Sequence, residues 1–182
     1  MLDKKLKRQR RSIFVDKNIK KIKIKQLTKD NFKLYGEVII AEGEFKIINQ
    51  GNGKKWNNLV NFDMFEDGGK VNLGLLRTKY LKPIFNQMER HHYTSQIFIS
   101  SGRGKSLVAV APVSEKYPDP EKVEVFLMEE GQGISFNRKV WHHSLFPLNN
   151  EQDYILIMRG GNFAPDVELV AFEDNVSIEI VF

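Results

Sequence analysis

The chain has 182 residues, a formal net charge of +5 and no cysteine. That length fits one domain that buries roughly two-thirds of its unfolded surface. The absence of thiols excludes disulfides, a thiolate nucleophile and thiolate metal ligands. The start is too charged for a secretory signal, and no apolar run approaches a membrane span, so a soluble cytoplasmic protein with no membrane partner is expected.

The positive charge is not spread evenly. Residues 1–25 hold eleven Lys and Arg against two Asp, leaving seventeen basic and twenty-one acidic residues in 26–182. The division expected is a basic N-terminal arm over 1–25 and a single domain over 26–182. An arm of this kind suits an anionic surface or a solvated terminus. It lacks the interleaved aromatics that stack on bases, so no nucleic-acid partner is expected. Ile19, Ile22 and Ile24 among lysines suit an edge strand, where lysine guards against unwanted pairing.

Beyond the arm, Thr28 or Asp30 can cap one helical turn that Gly36 ends, and Glu37–Ile40 then reads as strand. No later stretch has a helical period. Short β-rich runs recur between turn signals: 45–48, 60–65, 71–78, 97–100, 107–113, 123–128, 134–136, 154–158, 168–172 and 176–181. Asp119-Pro120-Glu121 reads as a turn, and Gly131-Gln132-Gly133 as a hairpin turn rather than a phosphate loop. This spacing predicts a mainly β sandwich or barrel with a short N-terminal helix.

The four histidines fall in two adjacent pairs, His91-His92 and His142-His143. Neighbours on a strand point to opposite faces, so each pair can send one imidazole inward and leave the other outside. His91 lies in the polar run 89–96, which leads into the apolar Ile97-Phe98-Ile99, as the lining of a cavity would. His92 and His143, on the opposite parity, should point away.

Five collinear stretches carry a resemblance: Gly131-Gln132-Gly133, Val140-Trp141-His142-His143, Leu145-Phe146-Pro147, Asp153-Tyr154 and Arg159-Gly160-Gly161. Together with Glu89-Arg90-His91, Gln96 and Phe98, and with Tyr35–Val38 and Ile48-Asn49, they resemble the ureidoglycolate lyase family over about residues 27–172. The resemblance implies a cupin-type β-barrel, usually a homodimer. Its implied activity is that of a carbon–nitrogen lyase, splitting (S)-ureidoglycolate to glyoxylate and urea in allantoin and purine breakdown. The second cupin motif, Pro-x-Gly-x-x-His, would place His142 as a ligand, with Asn137 and Lys139 standing where its proline and glycine are. In the first, His91 is followed by Gln96 where a carboxylate is usual. The resemblance allows, without requiring, a divalent ion such as nickel on His91, Gln96 and His142.

Ureidoglycolate carries a hydroxyl, a carboxylate and a ureido nitrogen on one carbon. Elimination takes a base for the hydroxyl proton, an acid for the departing nitrogen and a cation for the carboxylate. His91 and His142 suit the proton steps, Gln96 a hydrogen bond to the hydroxyl or ureido group, and Glu89 the orientation of His91 or a share of the metal. Arg77 is the first choice for the carboxylate, with Arg138 and Arg90 behind it. Two other outcomes remain open from sequence. One is an amidohydrolase releasing ammonia from the same substrate; the other is a cupin that holds a small carboxylate without turnover.

Overall fold

Strand-forming runs separated by turn residues leave almost no helix among the described residues. The computed structural model describes residues 18–63, 70–160 and 166–182. In chain order the strands and the helix are β1 (Ile19–Gln26), α1 (Lys29–Phe32), β2 (Gly36–Ile39), β3 (Lys46–Ile48), β4 (Gly53–Lys55), β5 (Lys70–Lys79), β6 (Ile84–Phe85), β7 (Gln87–His91), β8 (Gln96–Ser100), β9 (Ser106–Ala111), β10 (Glu124–Met128), β11 (Gly133–Phe136), β12 (Trp141–His142), β13 (Phe146–Pro147), β14 (Glu151–Gly160), β15 (Val167–Ala171) and β16 (Ser177–Val181). No helix among these residues is long and apolar enough to cross a membrane.

Two sheets face each other. One has the order β15-β7-β12-β9-β10-β1-β16-β6, with β13 also on β9; the other is β2-β11-β8-β14-β5, and β3 pairs with β4 as a separate hairpin. Between them lies a core of Val38, Phe98, Phe126, Ile134, Phe136, Val140 and Tyr154. A second core, with Phe85, Met88, Val125, Trp141, Phe146 and Ile178, draws on the larger sheet, which curls back on itself. Strand β9 belongs to both, sending Val108 and Val110 to the first core and Leu107, Ala109 and Ala111 to the second. The expected mainly β, cupin-type barrel with a short N-terminal helix is the fold observed.

The helix starts as its sequence indicates. Thr28 accepts the Asn31 amide, and the Asn31 side chain accepts the Thr28 amide, forming a capping box. Gly36 does not end this helix. It opens β2 against β11, where an added Cβ would sit 1.8 Å from the Ser135 carbonyl oxygen, a contact that forbids any side chain there.

Some expectations are corrected. Gly131–Gly133 is not a hairpin turn but a corner between the sheets, because β10 pairs with β1 and β9 whereas β11 pairs with β2 and β8. The close approach of Gly133 to the Phe98 carbonyl, 2.7 Å from where a Cβ would stand, explains that glycine. Residues 60–63 form no strand, and the rest of the run 60–65 lies outside the described residues. So do residues 1–17 of the basic arm.

Its last part, β1, is not an edge strand. It pairs in parallel with β16 through Ile19–Lys23 and with β10 through Ile24–Gln26, so the body's sheet takes in residues that the charge count assigned to the arm. Strand β16 likewise pairs on both sides, with β1 and with β6.

Candidate active site

Strand parity builds the site. On β12, Trp141 packs into the second core, so His142 faces the space between the sheets. On β7, Met88 packs into that same second core, which turns Glu89 and His91 the other way. His142 and Glu89 are direct partners across the β7–β12 pair. One ligand atom each from Glu89, His91 and His142 lies within 4.8 Å of the other two. His92 and His143 point away as expected: His92 Nε2 contacts Glu168 at 2.8 Å, and the His143 ring stacks on Phe146 at 4.6 Å.

Both inward rings are buried and held by their Nδ1 atoms. His142 Nδ1 lies 3.0 Å from the Val140 carbonyl, and His91 Nδ1 lies 3.1 Å from the Asp166 carboxylate. A carbonyl and a carboxylate only accept, so each Nδ1 donates, leaving Nε2 of the neutral ring as a lone pair. Both Nε2 atoms are buried without a hydrogen-bond partner among the described residues. The nearest charge to His142 Nε2 is Glu89 Oε1 at 3.6 Å, beyond hydrogen-bond length.

The walls fix these rings. Phe136 stacks on His142 at 4.3 Å and 17°, and the rings of His91 and His142 stack at 5.6 Å and 14°. Gln96 stands opposite Phe136 in the β8–β11 pair. Its Nε2 makes a long contact of 3.9 Å to Met158 Sδ, and its buried Oε1 has no partner among the described residues. Lys139, where the general cupin pattern has glycine, takes the same left-handed backbone at φ 66°, and its amide donates to the His91 carbonyl at 2.7 Å. The sequence departure leaves the turn's shape in place.

Burial, with the His142 ring as the next cause, pushes the His91 imidazole below its ordinary value; Asp166 and Glu89 oppose that shift. The Glu89 carboxyl is held below its ordinary range chiefly by the His142 imidazole, against the effect of burial.

The arginines chosen from sequence are not gathered with the histidines. Arg77 alternates with Leu76, which packs toward the core, so its side chain stands on the outer face, binding Asp153 at 2.7 and 2.8 Å. Arg90, on the Met88 face of β7, is buried over the Trp141 ring and donates to Glu168 and to the Ser114 and Glu115 carbonyls. Arg138, in the turn between β11 and β12, donates to Asp63 at 2.7 Å, and Asp63 exchanges hydrogen bonds with Ser95. Asp166 escaped the sequence reading, being 75 positions from His91.

The donor set also fits a divalent ion. Two imidazole lone pairs and a carboxylate converge, and each ring's other nitrogen is tied to an oxygen, as in metal sites generally. Glu89, to which the sequence reading gave a share of the metal, stands in this cluster with both histidines.

Two buried histidines and the half-buried Glu89 face one space between the two sheets of a cupin-type β-barrel. The profile of the ureidoglycolate lyase family matches residues 19–179. The ureidoglycolate lyase of Burkholderia cepacia is 32% identical over 144 residues, 77% of this chain and 80% of that one. That of Salmonella typhimurium is 28% identical over 152 residues, covering 82% and 94%. The chain belongs to the ureidoglycolate lyase family. A dTDP sugar isomerase structure from Desulfovibrio desulfuricans G20 is more distantly similar, at 13% identity and a TM-score of 0.44 over 72% of this chain and 83% of that one.

Because the folded His91 binds its proton less readily than the unfolded one, the unfolded state takes up more protons as pH falls below about 6.5. Stability present above that pH is therefore lost on acidification. His143, pushed down by burial, adds the same sign, and Glu89 does so in a lower window below 4.5. Thermal unfolding of chelator-treated protein should show a midpoint that falls steadily from about pH 7 to about pH 5.5. His91→Gln should make that slope shallower.

Proposed function

We propose that this protein cleaves ureidoglycolate to glyoxylate and urea, with His91 and His142 carrying the proton steps. The observation that carries this reading is the pair of buried Nε2 lone pairs facing one space beside Glu89. His91, neutral through burial, takes the hydroxyl proton. As the C–O bond becomes a carbonyl, the C–N electrons pass to the ureido nitrogen, which needs a proton. The proton that His91 has taken passes to that nitrogen, with His142 Nε2 and Glu89 beside it as the relay, and urea leaves.

The unpartnered Gln96 Oε1 accepts from the ureido N–H groups, giving preference to a substrate that carries them. Of the three arginines, Arg138, in the turn between Phe136 and His142 and paired here with Asp63, is our choice to meet the substrate carboxylate, since Arg77 stands on the outer face of its sheet and Arg90 is buried over Trp141 on the face of β7 turned from the histidines. Where a divalent ion is bound, Glu89, His91 and His142 would hold it, and it would acidify the hydroxyl of an α-hydroxycarboxylate.

The test is an assay of purified protein on fresh ureidoglycolate that follows glyoxylate, urea and ammonia separately. Equal glyoxylate and urea are expected, with His91→Ala and His142→Ala each lowering kcat by about 10²-fold or more. Arg138→Gln should raise KM by roughly tenfold. Ammonia in place of urea, or no turnover above the spontaneous rate, would contradict the assignment.

We also infer a homodimer formed through the outer face of the five-stranded sheet. Val71, Leu73 and Leu75 there are 57, 70 and 62% exposed, with Ile155 and Ile157 beside them on β14. An apolar strip of this kind on a sheet face is an association surface. Light scattering at micromolar concentration should report a dimer, and Leu73→Glu a folded monomer; a monomeric parent chain would count against it.

A further inference from the structure

Asp166 lies just before β15, whose first residue, Val167, pairs with His91. The Asp166 carbonyl accepts the His92 amide at 3.1 Å, extending that ladder. Its carboxylate is divided between two donors. Oδ1 accepts the Tyr93 backbone amide at 2.7 Å, and Oδ2 faces His91 Nδ1 at 3.1 Å. The side chain is 13% exposed. The carboxylate is therefore held from two sides, and the His91 ring meets an acceptor whose orientation the backbone has already set.

We propose that Asp166 is the positioning residue that locks His91 in the Nδ1–H tautomer and so aims the Nε2 lone pair into the site. The proposal rests on the reading of His91 as the proton acceptor. A neutral imidazole has one proton and two places for it. In the other tautomer Nε2 would carry the proton, and His91 could neither accept from a hydroxyl nor ligate an ion. The outer-strand carboxylate thus governs what the inward nitrogen can do without touching the substrate.

The isosteric change Asp166→Asn turns this into a sharp test. The Tyr93 amide is a fixed donor, so the Asn oxygen must face it and the Asn NH₂ must face His91 Nδ1. That NH₂ only donates, so Nδ1 must accept and the proton must move to Nε2. Shape and the Tyr93 hydrogen bond are kept, and only the tautomer changes.

The experiment is ¹⁵N NMR of histidine-labelled, chelator-treated full chain at a pH where His91 is neutral, with turnover measured in parallel. The parent chain should show His91 protonated at Nδ1, and Asp166→Asn should show it protonated at Nε2, with kcat down by about 10²-fold and KM within a few-fold. Asp166→Glu, which keeps an acceptor-only carboxylate, should retain the Nδ1–H tautomer and recover part of kcat. A parent His91 protonated at Nε2, or an Asn variant with its tautomer unchanged, would overturn the proposal. A switched tautomer with full turnover would uphold the positioning role and overturn the assignment of His91 as the base. If Asp166→Asn fails to fold, the tautomer of the parent chain and of Asp166→Glu still decides.

Discussion

Two imidazole nitrogens held in a buried wall with no partner among the described residues are the constraint on which the rest of the site depends. A buried polar atom left without a hydrogen bond costs about 1–3 kcal/mol. His91 Nε2 and His142 Nε2 both stand so, and Gln96 Oε1 with them. Such atoms find their partners in a bound ligand, an ion or water. The surrounding structure makes rearrangement expensive: the Val140 carbonyl and Asp166 hold the two Nδ1 atoms, and Phe136 lies flat on the His142 ring. The cost is carried by the two cores on either side of β9, whose side chains are all buried.

Period-two alternation made much of this legible in the sequence. Adjacent histidines on a strand must part, and the apolar neighbours decide which turns inward: Trp141 goes to the second core, so His142 goes to the first. The same rule placed His92 and His143 outside. It did not settle the arginines, because alternation says that a side chain faces one way or the other, and each was already paired. Arg77 has Asp153 directly across the β5–β14 pair, and Arg90 has Glu168 across β7–β15. Those partners lie 76 and 78 positions away, so the pairs exist only once strand register is known.

Asp166 was hidden for the same reason, since nothing in its own neighbourhood marks it until β15 is laid against β7. The corner at Gly131–Gly133 is a related case. Two glycines around a polar residue before a strand fit a hairpin equally well, and the difference lies in which sheet each flanking strand joins. Lys139 shows the reverse: its residue type departs from the general cupin pattern, yet the backbone keeps the left-handed turn that aligns the strand bearing His142. Local chemistry set the elements, and pairing between distant strands set the site.

The central claim is that the space beside His91 Nε2, His142 Nε2 and Gln96 Oε1 is where the substrate sits. A crystal structure with oxalurate, in which a carbonyl replaces the carbon that bears the substrate's hydroxyl, tests this most directly. The ligand should lie within hydrogen-bond distance of both Nε2 atoms or of an ion between them, with its ureido group on Gln96. Oxalurate found instead in the surface cleft beside Arg90, His92, Ser114 and Lys139, with both Nε2 atoms still without partners, would contradict it.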